Sequence, residues 1–97
     1  MNSDQIKRRI QKYERSRAKL LKKEIDLIRA RDANQALYDA CPSSYIALSV
    51  QRLTMRAQFI GAVIAAMDNF LFRERERYHA VKGIEGRAKA NEWATFN

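Results

Sequence analysis

The chain is poor in the residues that interrupt helices and in those that build covalent or metal sites. Its 97 residues include three glycines, one proline, one cysteine and one histidine. So few glycines and prolines argue against a turn-rich β fold. A single cysteine excludes an internal disulfide framework and is typical of a reducing compartment. No apolar run is long enough to span a bilayer. We therefore expect an all-α cytoplasmic protein without a membrane segment.

Positive charge is concentrated in one short segment. Nine of the 19 Lys and Arg residues lie between Lys7 and Lys23, where Glu14 is the only acid, so this window carries +8, the formal charge of the whole chain. A helical wheel places six of these cations opposite the apolar residues of the same segment. We call these six the basic rail: Arg8, Lys12, Arg15, Lys19, Lys22 and Lys23.

Three surroundings stay open for the basic rail. It can face solvent, since charged outer faces are normal on helices, or it can meet nucleic-acid phosphates or an acidic protein surface. The window lacks Asn and the interleaved aromatic residues that read or stack on bases. Any contact with DNA is therefore expected to be non-specific.

The first of two long helices is expected to span residues 3 to 40. Asn2 or Ser3 can cap its start, and apolar residues follow at helical spacing. Pro42 disfavours helical geometry at the residue before it, so the helix should end near Ala40, with a turn at 41–43.

The second helix is expected to span residues 44 to 82, because Gly83 is a residue type that commonly ends helices. Its apolar residues recur at spacings of four and three, which is the pattern of a coiled-coil seam broken only at Glu74. A short loop between two long helices favours an antiparallel helical hairpin over residues 1–83. A short C-terminal tail with a short helix, residues 84–97, should follow. In this register Arg17 lies opposite Asp68 or Asn69.

The second helix carries more apolar surface than one neighbouring helix can cover. A second stripe runs beside the seam, and a two-helix hairpin leaves it exposed. Three alternatives remain for what packs on this stripe: a second copy forming a dimeric four-helix bundle, a larger protein partner, or the folded-back tail. We call this stripe the apolar face: Tyr45, Leu48, Met55, Phe59, Val63 and Phe70.

The tail and the turn each contain one further candidate feature. Trp93 and Phe96 are expected either to anchor the tail in a partner's pocket or, for Trp93, to pack on the hairpin itself. Pro42 is a candidate site for a prolyl isomerase, and the alternative is an ordinary helix breaker in the trans form.

No residue pattern points to catalysis. Cys41 and His79 have no catalytic motif around them, and the hairpin separates them, so they cannot share a metal or act as nucleophile and base. We expect neither enzymatic activity nor a cofactor or metal.

The whole chain resembles the small proteins with which temperate phages modify RecBCD, the recombination nuclease of their host. The resemblance rests on chain length, the opening Met1-Asn2-Ser3-Asp4-Gln5-Ile6-Lys7-Arg8-Arg9, the basic first helix and the lone proline in Cys41-Pro42-Ser43-Ser44. It implies a non-enzymatic modulator in the host cytoplasm that docks on the RecC subunit, with a host prolyl isomerase as a co-partner. It assigns no functional residue.

Two functions from different classes therefore remain. The first is a protein-binding modulator of a host complex, anchored by apolar residues and oriented by the basic rail. The rival is a dimeric helical protein that binds nucleic acid without sequence preference. A helical subunit of a larger assembly comes third.

Overall fold

The computed structural model of the chain consists of two helices, α1 (Ser3–Ala40) and α2 (Ser44–Phe96). It describes the backbone of residues 2–96 and the side chains of residues 2–88. The helices pack side by side in antiparallel orientation, with buried residues from both in each core cluster. The expected all-α helical hairpin is confirmed.

Local sequence determines both ends of α1. Asn2 accepts a hydrogen bond from the Gln5 backbone N–H at 2.9 Å, and Gln5 accepts one from the Asn2 backbone N–H at 3.0 Å. This reciprocal capping box satisfies two backbone donors at the start of the helix. At the other end Cys41 departs from helical geometry (φ −145°, ψ 85°), as expected for the residue before Pro42. The Cys41–Pro42 peptide bond is trans.

Two clusters of buried apolar residues hold the helices together. The cluster nearer the turn contains Leu27, Ile60 and Ile64, and the cluster at the opposite end contains Ile6 and Leu71. Each fully buried side chain of this size stabilises the fold by roughly 1.5 to 3 kcal/mol. The seam predicted from the spacing of apolar residues in α2 is therefore the packed interface.

An ion pair between the two clusters defines the register. Arg17 donates hydrogen bonds to both carboxylate oxygens of Asp68 across the seam. Asp68 is thus the residue opposite Arg17, and the predicted antiparallel register is confirmed. The hydrogen bond to Asp68 has the largest effect and raises the pKa of Arg17; desolvation, which is next, lowers it, and the charge of the Asp68 carboxylate adds a smaller rise.

The expected end of α2 at Gly83 and the separate tail after it are wrong. The helix continues through Gly83 and Gly86 to Phe96, and no described glycine has a positive φ. A contact between Glu85 and the start of α1 favours helical backbone up to residue 85. Glu85 accepts hydrogen bonds from the backbone N–H of Ser3 at 3.0 Å and from its hydroxyl at 2.5 Å. Helical backbone at Gly83 keeps this carboxylate over the positive end of α1.

The two arms differ in length, so the backbone of α2 extends beyond the start of α1. α2 has 53 residues and α1 has 38, which at about 1.5 Å per residue leaves roughly 20 Å of α2 beyond the start of α1. The molecule measures 81 × 15 × 15 Å. Within the described residues, neither helix has a stretch apolar enough to cross a membrane.

Candidate functional site

The basic rail lies on the exposed surface of α1, and Lys23 at its end also lines a depression between α1 and α2. All six of its residues are exposed, and none forms an ion pair with a described residue. Asp4 precedes Arg8 by four residues and Asp26 follows Lys22 by four, so one acid bounds the rail at each end of the same helix face. The rail is therefore an uninterrupted row of free cations about 22 Å long.

Three cations of the basic window do not belong to the rail: Lys7, Arg9 and Arg17. Arg9 lies beside the ring of Phe70, with its guanidinium carbon 5.5 Å from the ring centre, and Arg17 binds Asp68. Both reach across to α2 instead of facing outward. The helical wheel thus separates cations that hold the hairpin together from cations available to a partner.

Most of the apolar face is exposed. The exposed fractions are 82% for Tyr45, 42% for Leu48, 62% for Met55 and 70% for Phe59. Val63 is half-buried. Aromatic and Met side chains at helical spacing with this exposure are unusual for a hairpin that functions without a partner.

Phe70 differs from the other residues of the apolar face. Its ring packs against that of Tyr13, with ring centres 4.7 Å apart, and Arg9 covers it as well. α1 therefore shields the apolar face at Phe70. The uncovered part runs from Tyr45 to Val63, a length of about 27 Å along the helix.

The uncovered part forms one wall of a groove between the helices. A depression of about 400 Å³ is lined by Leu20 and Lys23 from α1 and by Met55, Phe59 and Val63 from α2, among others. A second depression, towards the turn, includes Tyr45, Leu48 and Arg52. Arg56 lines both depressions. The two depressions therefore adjoin each other at Arg56, and we call them together the α2 groove; α1 lines only the first of them.

The α2 groove is positively charged at its rim. Lys23 stands on the α1 side and Arg52 and Arg56 on the α2 side. No Asp or Glu occurs anywhere between Asp39 and Asp68. Sequence reasoning missed the two arginines as site residues, although this long acid-free segment was the signal that could have found them. The α1 contribution could be found only once the rotation of each helix about its axis was known.

The residues considered for catalysis or metal binding do not come together. Cys41 is exposed in the turn, and His79 lies near the other end of the hairpin, where its ring packs against Tyr78 with centres 5.5 Å apart. No group of three or more His, Cys, Asp or Glu residues in the described part of the chain could hold a metal ion. The absence of enzymatic activity stays a prediction.

The remaining sequence candidates lie at the two ends of α2. Pro42 is exposed in the turn just before α2, and its recognition by a prolyl isomerase stays a prediction. Trp93 and Phe96 belong to the last turns of α2, but their side chains lie outside the described residues.

Comparison with protein-family models, with curated proteins and with solved structures finds no match to this chain.

Proposed function

We propose that this protein is a non-enzymatic binding protein that docks on a larger protein complex through the α2 groove, with the basic rail orienting the approach. The observation that carries the proposal is the exposure of Met55 and Phe59 beside Leu20 in a groove of the hairpin. Large apolar anchors in a concave surface are the residues that dominate binding energy at protein interfaces.

The elongated hairpin exposes more surface than a compact monomer of the same mass. A monomer of 11.3 kDa with ordinary compactness exposes about 5,700 Å². This chain exposes 7,623 Å², an excess of roughly 1,900 Å² over that compact monomer. A standard interface buries about 800 Å² of each partner. The excess therefore provides room for an interface of ordinary size.

The resemblance to phage modifiers of the host nuclease makes RecBCD the complex to test, with docking on RecC as the expected mode. The basic rail fits such a partner in two ways, since a nuclease complex presents both protein surface and bound DNA. In this proposal the rail raises the association rate and the α2 groove supplies most of the affinity.

Two phenylalanines of α2 provide a matched test. Phe59 (70% exposed) lies in the α2 groove, whereas Phe72 (61% exposed) belongs to the same helix but lines neither depression of the groove. We expect Phe59→Asp to weaken the complex with purified RecBCD by about 30-fold or more, the effect of losing a central anchor, and Phe72→Asp to leave it unchanged. Co-elution on size exclusion and nuclease activity on linear duplex DNA are the measurements. Absence of a complex, or equal loss in both variants, contradicts the proposal.

Non-specific binding of nucleic acid is the second candidate, and the uninterrupted row of unpaired rail cations favours it. Six phosphate contacts give a slope of about −5 for the logarithm of affinity against the logarithm of salt concentration. Reversal of Arg8, Lys12, Arg15 and Lys19 to Glu should abolish duplex binding if this candidate is correct. For the docking protein, the same variant keeps its complex and loses association rate.

A further inference from the structure

We infer that the α2 groove receives one amphipathic helix of a partner protein, with acidic residues flanking its apolar face. The inference rests on the proposed docking function and adds the chemistry of the segment that docks. Three features carry it: the absence of backbone partners in the groove, the shape of the groove, and the charge at its rim.

The walls of the groove require a segment that satisfies its own backbone. Both walls are faces of long helices, whose backbone N–H and C=O groups are already bonded within each helix. An extended segment lying there would leave its own backbone groups without partners, and each such buried group is costly. A helix bonds its backbone internally and presents only side chains, which is what the groove can accept.

The shape of the groove matches a third helix. It follows α2 for about 27 Å, the length of roughly 18 helical residues. Leu20 lies on one side and Met55 and Phe59 on the other in the part that both arms line, and α2 alone lines the part towards the turn. A helix placed over such a line between two antiparallel helices completes a three-helix bundle and covers the exposed anchors.

The cations at the rim of the groove favour a partner helix that has acidic residues on both sides of its apolar face. Lys23 lies on one side and Arg52 and Arg56 on the other, and α2 contributes no carboxylate between residues 44 and 67. Glu and Asp on both borders of an incoming apolar face would meet these cations, whereas Lys or Arg there would be repelled. The rim thus distinguishes between helices that have the same apolar face.

A second copy of the chain fits this groove poorly. In a two-fold dimer through the apolar face each groove receives the other α2, whose exposed segment is the same acid-free one. Arg52 and Arg56 then meet no carboxylate from the opposing α2, and each chain carries a net charge of +8. Uncompensated like charge across an interface is unfavourable.

Two designed helical peptides test the inference with the full-length protein. Both have about 18 residues, the length of the groove, and the same leucine face; one has Glu at the flanking positions and the other has Lys. Fluorescence anisotropy measures their binding. We expect the Glu peptide to bind at least about tenfold more tightly than the Lys peptide and to weaken with salt.

Charge reversal in the groove should invert this preference. Arg52→Glu/Arg56→Glu is expected to bind the Lys peptide better, while Arg73→Glu/Lys82→Glu, at exposed positions outside the groove and the rail, changes the net charge equally and should keep the preference for Glu. Phe59→Asp should abolish peptide binding and Phe72→Asp should not. Circular dichroism checks that each variant keeps its helical content.

Several outcomes would overturn the inference. If the two peptides bind equally well, or if neither binds, an acidic helix is not the occupant of the groove. A stable dimer that Phe59→Asp converts to a monomer makes a second copy the occupant instead. If Phe59→Asp breaks the complex with RecBCD but the Glu peptide does not bind, the docking function stands and this inference fails. If the Glu peptide binds with the expected groove dependence but RecBCD does not, the partner proposed above is wrong and the inference stands.

Discussion

Glu74 is the residue whose environment fits its chemistry least well. It occupies a seam position of α2, where its side chain is 9% exposed. Arg9 Nε lies 4.0 Å from one carboxylate oxygen and Arg77 Nη1 lies 3.9 Å from the other, both beyond hydrogen-bonding distance. The first of these oxygens has no hydrogen-bond partner in the described part of the chain. A buried carboxylate of this kind lowers stability, because ion pairing at such distances compensates poorly for lost hydration.

Replacing Glu74 with an apolar residue should therefore stabilise the hairpin. Glu74→Leu restores the seam pattern and leaves Arg9 and Arg77 exposed to water, so we expect the free energy of unfolding to rise by about 1 to 3 kcal/mol, the cost of an unsatisfied buried polar group. Urea denaturation measures the change. Glu76→Leu, an exposed position on the same helix, is the matched control and should stay within about 0.5 kcal/mol of the parent. A clear loss of stability for Glu74→Leu would contradict this account.

At the scale of the helix, the backbone conformation of Gly83 determines whether α2 continues or ends at this residue. In the structure its backbone is helical, and a Cβ atom placed there meets nothing within 4 Å. In the alternative suggested by sequence, Gly83 would take a left-handed conformation and end the helix. Alanine favours the first geometry and disfavours the second.

The substitution Gly83→Ala should change the stability of the protein in opposite directions in these two cases. A continuous helix should gain about 1 kcal/mol, because alanine has the higher helix propensity, and the melting temperature of a domain this size should rise by about 4 to 8 °C. A left-handed glycine at a helix end would instead give a loss. Thermal unfolding followed by circular dichroism distinguishes them, and Gly86→Ala, equally free of neighbours within 4 Å, repeats the test one turn later.

The features of the helices that could be predicted are those fixed by local physics. Pro42 places the turn, the apolar spacing places the seam, and together they set the register that pairs Arg17 with Asp68. The continuation of α2 past Gly83 could not be predicted, because the hydrogen bonds of Ser3 to Glu85 join residues 82 positions apart. A glycine alone is compatible with either outcome.

The candidate site was predictable to a similar degree. Helical spacing identified Phe59 as a residue facing away from the seam, and it is exposed. The same reasoning could not show that Tyr13 covers Phe70, nor that Leu20 and Lys23 form the other wall of the groove. These contacts depend on how far each helix is rotated about its axis, which a wheel drawn for one helix does not contain.

At the scale of the whole molecule, repulsion between the cations of the basic rail destabilises the isolated hairpin. Five pairs of rail cations lie three or four residues apart along α1, among them Arg8 with Lys12 and Arg15 with Lys19. Each like-charged pair at this spacing destabilises a helix by about 0.2 to 0.5 kcal/mol. None of the six cations is neutralised by an ion pair with a described residue. The free protein therefore retains a surface that lowers its own stability, which agrees with the binding role that we propose for the rail.

Lys12→Glu/Lys19→Glu should therefore stabilise the free protein while impairing its function. The two changes turn all five repulsive pairs of the rail into attractive ones, so we expect the free energy of unfolding to rise by about 2 to 5 kcal/mol at low salt. Because the Debye length falls to about 3 Å at 1 M salt, the gain should largely disappear there. Urea denaturation at both salt concentrations measures it, beside the association rate with the partner, which should fall. A gain independent of salt would show that the effect is not electrostatic, and an unchanged association rate would remove the rail from the binding process.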